Sequence, residues 1–345
     1  MTVAVSDHET AGSAAGSQTW GEPVTDAWKV RLHDAMVQAR LVEETMIRMM
    51  RTGHGYFWIG GPGEEAWGVP LGLLVHKGHG PAHDYLHLHY RSSAVVLAMG
   101  AAPVDLLRQM RSTVTDPYSM GRNFVNHFAI RAWNIVPVTP TIETQYVTAP
   151  GTAWVQRRSG GIGVSIVNGG DAGTAEGDFA SCLNWSTRPG HELPVLILIA
   201  QNEWGISTPA SQVQSSVDLA QRAGGYGIPH RVVDGNDPVA TYEALREALA
   251  WCRYERKPFC LQGNVSRLYG HSSSSGALRH EEPDCVTAFE TRLVRENVLT
   301  EAEAREVWER WQTHIHAALE LVKTEPMPDR EHVFLHAVAP PGSQN

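Results

Sequence analysis

The chain has 345 residues, 42% of them hydrophobic and 19% charged, which describes a soluble globular protein of one large or two ordinary domains. Its formal net charge of −9 and the lack of any Lys/Arg run exclude a sequence-independent nucleic-acid binder. No apolar run reaches the roughly 18 residues of a membrane span, and Cys182, Cys252, Cys260 and Cys285 show no CxxC spacing, which argues for a reduced, cytoplasmic protein.

Residues 1–22 read as a disordered tail, because 1–18 are rich in Ala, Ser, Gly and Thr, with acids and no Arg. That composition is neither a signal nor a transit peptide. One α/β domain is expected over 23–324, then a proline-bearing tail over 325–345. Val30, Met36, Leu41 and Met46 predict a long helix over 26–52, ended by Gly53 and Gly55. Gly60, Gly61 and Gly63 turn the chain into a second helix at Glu64-Glu65-Ala66. His76, His79, His83, His87 and His89 follow, without three or four ligands at zinc-like spacing. Surface or pocket-lining histidines are expected, with His87 and His89 on one face of an extended piece. Tyr90-Arg91 leads into a helical stretch that stops at Gly100, and Pro103 at a first helical position starts another through Met110. Residues 121–151 carry few regular signals, although a helix is expected over 144–157.

The chain is organised around residues 160–209. An apolar strand over 162–167 enters the turn Asn168-Gly169-Gly170-Asp171-Ala172-Gly173, and a helix follows over 174–187. A second buried strand over 195–199 delivers Gln201-Asn202-Glu203-Trp204. Ligands of such a strand-helix-strand unit belong at the carboxyl ends of its strands. Asp171 and Asn202 are therefore expected side by side. The backbone N–H groups of the Gly-rich turn favour an anion such as a diphosphate. A carboxylate and an amide beside it make an oxygen-only site for a hard cation, most simply Mg²⁺. Downstream, a helix over 217–226, a strand over 231–233, a helix from Pro238 to 254 capped by Asp237, and a strand over 258–265 are expected. These repeats fit a doubly wound, mostly parallel sheet flanked by helices. Thr300 and Glu303 form a capping box before the stripe Val307, Trp311, Ile315, Ala318 and Val322.

Gly170-Asp171 and, after a spacer, Gln201-Asn202 resemble the thiamine-diphosphate signature, a Gly-Asp-Gly followed by Asn-Asn. The resemblance is strongest toward the α subunit of the E1 component of 2-oxo acid dehydrogenases, of the branched-chain type, and it covers residues 25–320. It implies a thiamine-diphosphate-binding fold of the diphosphate-binding type, with thiamine diphosphate and Mg²⁺ as cofactors. Asp171, Asn202 and the main-chain oxygen of Trp204 would hold the metal. Gly170, Ala172 and Gly173 would form the turn under the diphosphate, which Tyr90 and Arg91 would reach. The loop 134–145 resembles the family's aminopyrimidine cradle, where main-chain groups near Pro140 and Ile142 bond the ring and Ile142 wedges the cofactor; core burial of Ile142 is an equal reading. Arg267 and His271 match the family's active-site loop, with an Arg four positions before a His. His271 would contact the phosphate and act in proton transfer, and its ordinary pKa of about 6.5 suits either state. Ala172, Ala200, Gln201 and Ser275 depart from the family pattern.

The implied activity is thiamine-diphosphate-dependent oxidative decarboxylation of a small-molecule 2-oxo acid, with acyl transfer to a lipoyl-bearing E2 acyltransferase. A Glu that the chemistry needs comes, in this family, from a β-type E1 subunit, so an α2β2 heterotetramer is expected. Ile206-Ser207-Thr208-Pro209 resembles branched-chain members, which makes a branched-chain 2-oxo acid the expected substrate. A pyruvate- or acetoin-type subunit stays open, as do a non-catalytic scaffold paralogue and a His-rich metal-binding protein.

Overall fold

The computed structural model describes residues 19–335. Helix α1 (Asp26–Arg51) starts where the Thr25 side chain accepts the Trp28 N–H. Then come α2 (Glu65–Leu74), β1 (Tyr85–His87), α3 (Ser93–Ala98), α4 (Pro103–Arg111) and α5 (Thr144–Ser159). The central unit is β2 (Ser165–Gly170), α6 (Gly177–Ser186) and β3 (Val195–Gln201), followed by a small antiparallel hairpin of β4 (Trp204–Gly205) and β5 (Thr208–Pro209). The chain continues through α7 (Gln221–Gly224), β6 (His230–Asp234), α8 (Pro238–Tyr254), β7 (Phe259–Asn264), α9 (Cys285–Arg295) and α10 (Glu301–Thr324).

Five strands pair in the order β1-β2-β3-β7-β6, and every pairing is parallel. A parallel sheet covered on both faces needs continuously apolar strands, and all of β3, Val195–Gln201, is buried. Leu196, Leu198 and Ala200 face a core shared with α1, α2 and α8, whereas Val195, Ile197 and Ile199 face a second core with Tyr146, Phe179 and Leu183. That alternation is the two-residue period of a strand. The expected α/β architecture is therefore observed, with all strand carboxyl ends on one rim.

Several boundaries differ from expectation. β2 begins at Ser165, not 162, and runs on through Asn168, Gly169 and Gly170, which pair with Leu198, Ile199 and Ala200. The turn thus begins at Asp171. The helix expected over 174–187 is split into a 3-10 turn, Ala172–Ala175, and α6. The helix expected over 217–226 shrinks to α7, because the Gln262 side-chain oxygen accepts the N–H groups of Leu219 (2.8 Å) and Ala220 (3.1 Å). Helix α9, unforeseen, is capped by Asp284, whose side chain accepts from Val286 and Thr287.

The expected tails lie partly outside the described residues, namely 1–18 and 336–345. Within them, Trp20 donates to Leu74 O (2.7 Å), and Glu325 takes a 2.6 Å ion pair from Arg108. A buried pair, Arg253–Asp84 (2.6 Å), ties α8 to the entry of β1. Among the described residues, no helix is long and apolar enough to cross a membrane.

Candidate active site

The carboxyl ends of β1, β2 and β3 and the loop after β7 border one cavity of about 260 Å³. Asp171 follows β2 directly, and its N–H donates to Ala200 O (3.2 Å), which fastens the turn to β3. Its Oδ1 accepts the Ala172 N–H (2.9 Å), whereas Oδ2 is buried with no hydrogen-bond partner. At the end of β3, Gln201 accepts the Glu203 N–H and Asn202 accepts the Trp204 N–H, both at 3.1 Å. These two side chains fold the strand end back into the hairpin. Glu203 and Ile206 take φ of +65° and +57° there, a left-handed backbone uncommon outside glycine.

Arg91 reaches the cavity from β1. Its Nη2 donates to His271 Nδ1 (3.0 Å), its Nε lies 3.7 Å from Glu64 Oε1, and its Nη1 is buried without a partner. Tyr90 packs against His89 with ring centroids 3.8 Å apart and planes tilted by 37°, and it meets His271 edge-on at 5.9 Å. The Ser-rich loop that carries His271 is ordered by the turn before α2: Ser273 donates its N–H to Trp58 O (2.8 Å), and Ile59 bridges Ser272.

Burial dominates the electrostatics. It raises Asp171 above the ordinary carboxylate value, with the Ala172 N–H and Arg91 pulling the other way. Glu64 is pushed up to about 7 by burial, against the opposing pull of Arg91 and the Asn202 amide. His271 is lowered to about 4 by burial and by the cations Arg91 and Arg267. Arginine can only donate, so His271 Nδ1 is an acceptor and the proton of the neutral ring sits on Nε2.

A buried polar atom without a partner costs about 1–3 kcal/mol and calls for an explanation. Glu64 Oε1 and Arg267 Nε also lack hydrogen-bond partners nearby, but the two orphans on residues that line the cavity have opposite needs: Asp171 Oδ2 suits a cation and Arg91 Nη1 an anion. Gly170 adds an open backbone, since a Cβ there would meet nothing within 4 Å. Oxygen donors from a carboxylate and an amide match Mg²⁺ rather than a softer metal. A divalent cation on a diphosphate would satisfy both of these at once.

Tyr90, Arg91, Ile142, Gly170, Asp171, Ala172, Gly173, Asn202, Trp204 and His271 all line the cavity. Pro140 and Arg267 are outside its lining. Arg267 instead donates to Ile206 O (2.9 Å) and lies over the Trp204 ring, bracing the hairpin. Glu64, which sequence reading left to packing, stands beneath Arg91; His89 lines the wall, as expected of a pocket-lining histidine, and Glu143 lines it unforeseen. A lone acid inside a loop carries no sequence signal for such a place. His87 lies outside this cavity: it is buried between the hydroxyls of Thr148 (3.0 Å) and Thr152 (2.8 Å) and lines a separate small pocket. Among the described residues, no three His, Cys, Asp or Glu side chains converge on a metal position.

Comparisons with known proteins show the family of the chain. The family model described as "Dehydrogenase E1 component" matches residues 33–331. A "2-oxoisovalerate dehydrogenase subunit alpha" of Bacillus subtilis (strain 168) is 31% identical over 250 residues, 72% of this chain and 74% of the relative. A mitochondrial "2-oxoisovalerate dehydrogenase subunit alpha 2" of Arabidopsis thaliana is 28% identical over 74% of this chain, which spans 53% of that relative's length. A "Pyruvate dehydrogenase E1 component subunit alpha" of Staphylococcus aureus (strain Mu50 / ATCC 700699) is 26% identical over 86% of this chain and 78% of the relative. With the family model covering most of its length, the chain belongs to the dehydrogenase E1 component family.

Proposed function

We propose that this chain is the α subunit of a 2-oxo acid dehydrogenase E1 component that binds thiamine diphosphate through Mg²⁺. The observation that carries the reading is the pair of buried, unpartnered groups, Asp171 Oδ2 and Arg91 Nη1, at one strand-end cavity. Asp171 and Asn202 would hold the cation by side-chain oxygens, with the Trp204 main-chain oxygen as third ligand. Arg91 would give the diphosphate charge-assisted bonds, with Tyr90 beside it. Gly170, Ala172 and Gly173 bring backbone close to the same anion. Ile142, 47% exposed on the cavity wall, would press on the cofactor's ring system. His271, neutral near pH 7, can hold or give the proton on Nε2. Thiamine diphosphate supplies the electron sink that lets a 2-oxo acid lose CO2.

The family reading brings a β-type partner, in an α2β2 heterotetramer, and a lipoyl-bearing E2 acyltransferase that takes the acyl group. An exposed apolar face on α5 and α6 supports such an assembly: Val147 and Trp185 are 43% and 52% exposed. Four buried, unpaired cysteines support a reducing, cytoplasmic setting. The 2-oxoisovalerate relatives favour a branched-chain substrate. Turnover of 3-methyl-2-oxobutanoate and of pyruvate by this chain with its β-type partner, thiamine diphosphate and Mg²⁺ tests the reading. The branched substrate should react faster. A preference for pyruvate would move the chain to the pyruvate type, and no decarboxylation of either would contradict the function.

A further inference from the structure

Glu143, like Glu176, is an acid lining this cavity that neither cation binding nor phosphate binding employs. It is 1% exposed and precedes α5 with φ +69°, a left-handed backbone that a Glu rarely takes. Despite its N-cap position it makes no capping bond. Its carboxyl instead turns under the Gly-rich turn. There Oε1 accepts the Gly170 N–H (3.3 Å), and Oε2 accepts from the Gln145 amide (2.9 Å), which also reaches Asn168 O (3.2 Å). Two glycines make room for it. A Cβ on Gly169 would overlap the Glu143 carboxyl and the Tyr146 ring, and one on Gly173 would overlap the Glu143 side chain.

Resting on the reading that this cavity holds a cation and a diphosphate, we propose that Glu143 is a positioning residue for the segment that carries Asp171. Its carboxyl braces residues 169–173 from the inner side, and the glycines at 169 and 173 are its steric counterparts. A strained backbone and a buried carboxyl persist only where their surroundings fix them. Here the fixed object is the turn between β2 and α6. Burial, partly offset by the Gly170 N–H, raises the Glu143 pKa to about 8. A glutamine keeps the shape of the side chain and one of its two acceptor oxygens.

The test is Mn²⁺ binding in the presence of thiamine diphosphate, read by electron paramagnetic resonance of free Mn²⁺ on the full chain with its β-type partner. Glu143→Gln should bind Mn²⁺ within about threefold of wild type, while Glu143→Gly, compatible with the positive φ, should weaken binding by about tenfold, as losses of outer-shell support do. Gly173→Ala should weaken it similarly. Because both changes break the same contact, the double variant Glu143→Gly with Gly173→Ala should be no weaker than Glu143→Gly alone. Circular dichroism melting separates this from unfolding; should either glycine variant fail to fold, the Glu143→Gln comparison with Glu143→Ala decides. Wild-type affinity in the folded Glu143→Gly or Glu143→Ala protein, or losses that multiply in the double variant, would overturn the proposal and leave the function standing. Wild type that binds no Mn²⁺ would overturn the proposed function and this inference with it.

Discussion

Arg91 and His271 lie 180 positions apart in the sequence, and Arg91 sets the state of His271. The guanidinium can only donate, so its 3.0 Å contact fixes the His271 tautomer. Its charge also helps hold the imidazole at about 4, below the ordinary 6.5. Replacing Arg91 by Gln removes that charge, so the His271 pKa should rise toward 6.5, as followed by NMR titration of the ring protons. An unchanged or lower value would mean that burial and Arg267 act without Arg91. The same variant should weaken thiamine diphosphate binding by roughly tenfold or more, the worth of a charge-assisted bond. At this scale the convergence of Asp171, Asn202, Tyr90, Arg91 and His271 on one cavity was legible, because motif chemistry restricts those positions to few residue types. Glu64 and Glu143 were not, because their roles come from burial beside residues remote in sequence, Arg91 and Gly173.

Elements were legible where local chemistry decides them. The Asp237 cap with Pro238 and the Thr300–Glu303 box started α8 and α10 as expected. Legibility failed where a distant side chain captured the backbone, as Gln262 does just before α7. β1 was obscured because its three residues end in a histidine satisfied by α5. Its entry depends on Asp84, which accepts from Arg253 at 2.6 and 2.7 Å, from the His76 N–H (2.8 Å) and from the Val164 N–H (3.0 Å). Both charged side chains are fully buried, so Asp84→Ala leaves an uncompensated cation and should cost about 3–5 kcal/mol of unfolding free energy. Urea denaturation measures this, and a loss below about 1 kcal/mol, the level of an exposed pair, would contradict the assignment.

At the scale of the whole molecule, the all-parallel sheet sends four of its five strand ends or their following loops to one cavity, and the alternation within β3 divides two cores behind it. That architecture was legible in the run of αβ repeats. The order that places β7 between β3 and β6 was not, since no local signal ranks strands across a sheet. The arrangement sets an acid and an arginine, each with an unpartnered buried atom, around one space. The most direct measurement is calorimetric titration of thiamine diphosphate with Mg²⁺ into this chain and its β-type partner, wild type against Asp171→Asn. Wild type should bind in a Mg²⁺-dependent manner, and Asp171→Asn, with its fold intact, should bind about a hundredfold more weakly, at or beyond the loss seen for outer-shell partners. Equal, Mg²⁺-independent affinity in the two proteins would contradict the assignment of Asp171 as the cation's anchor.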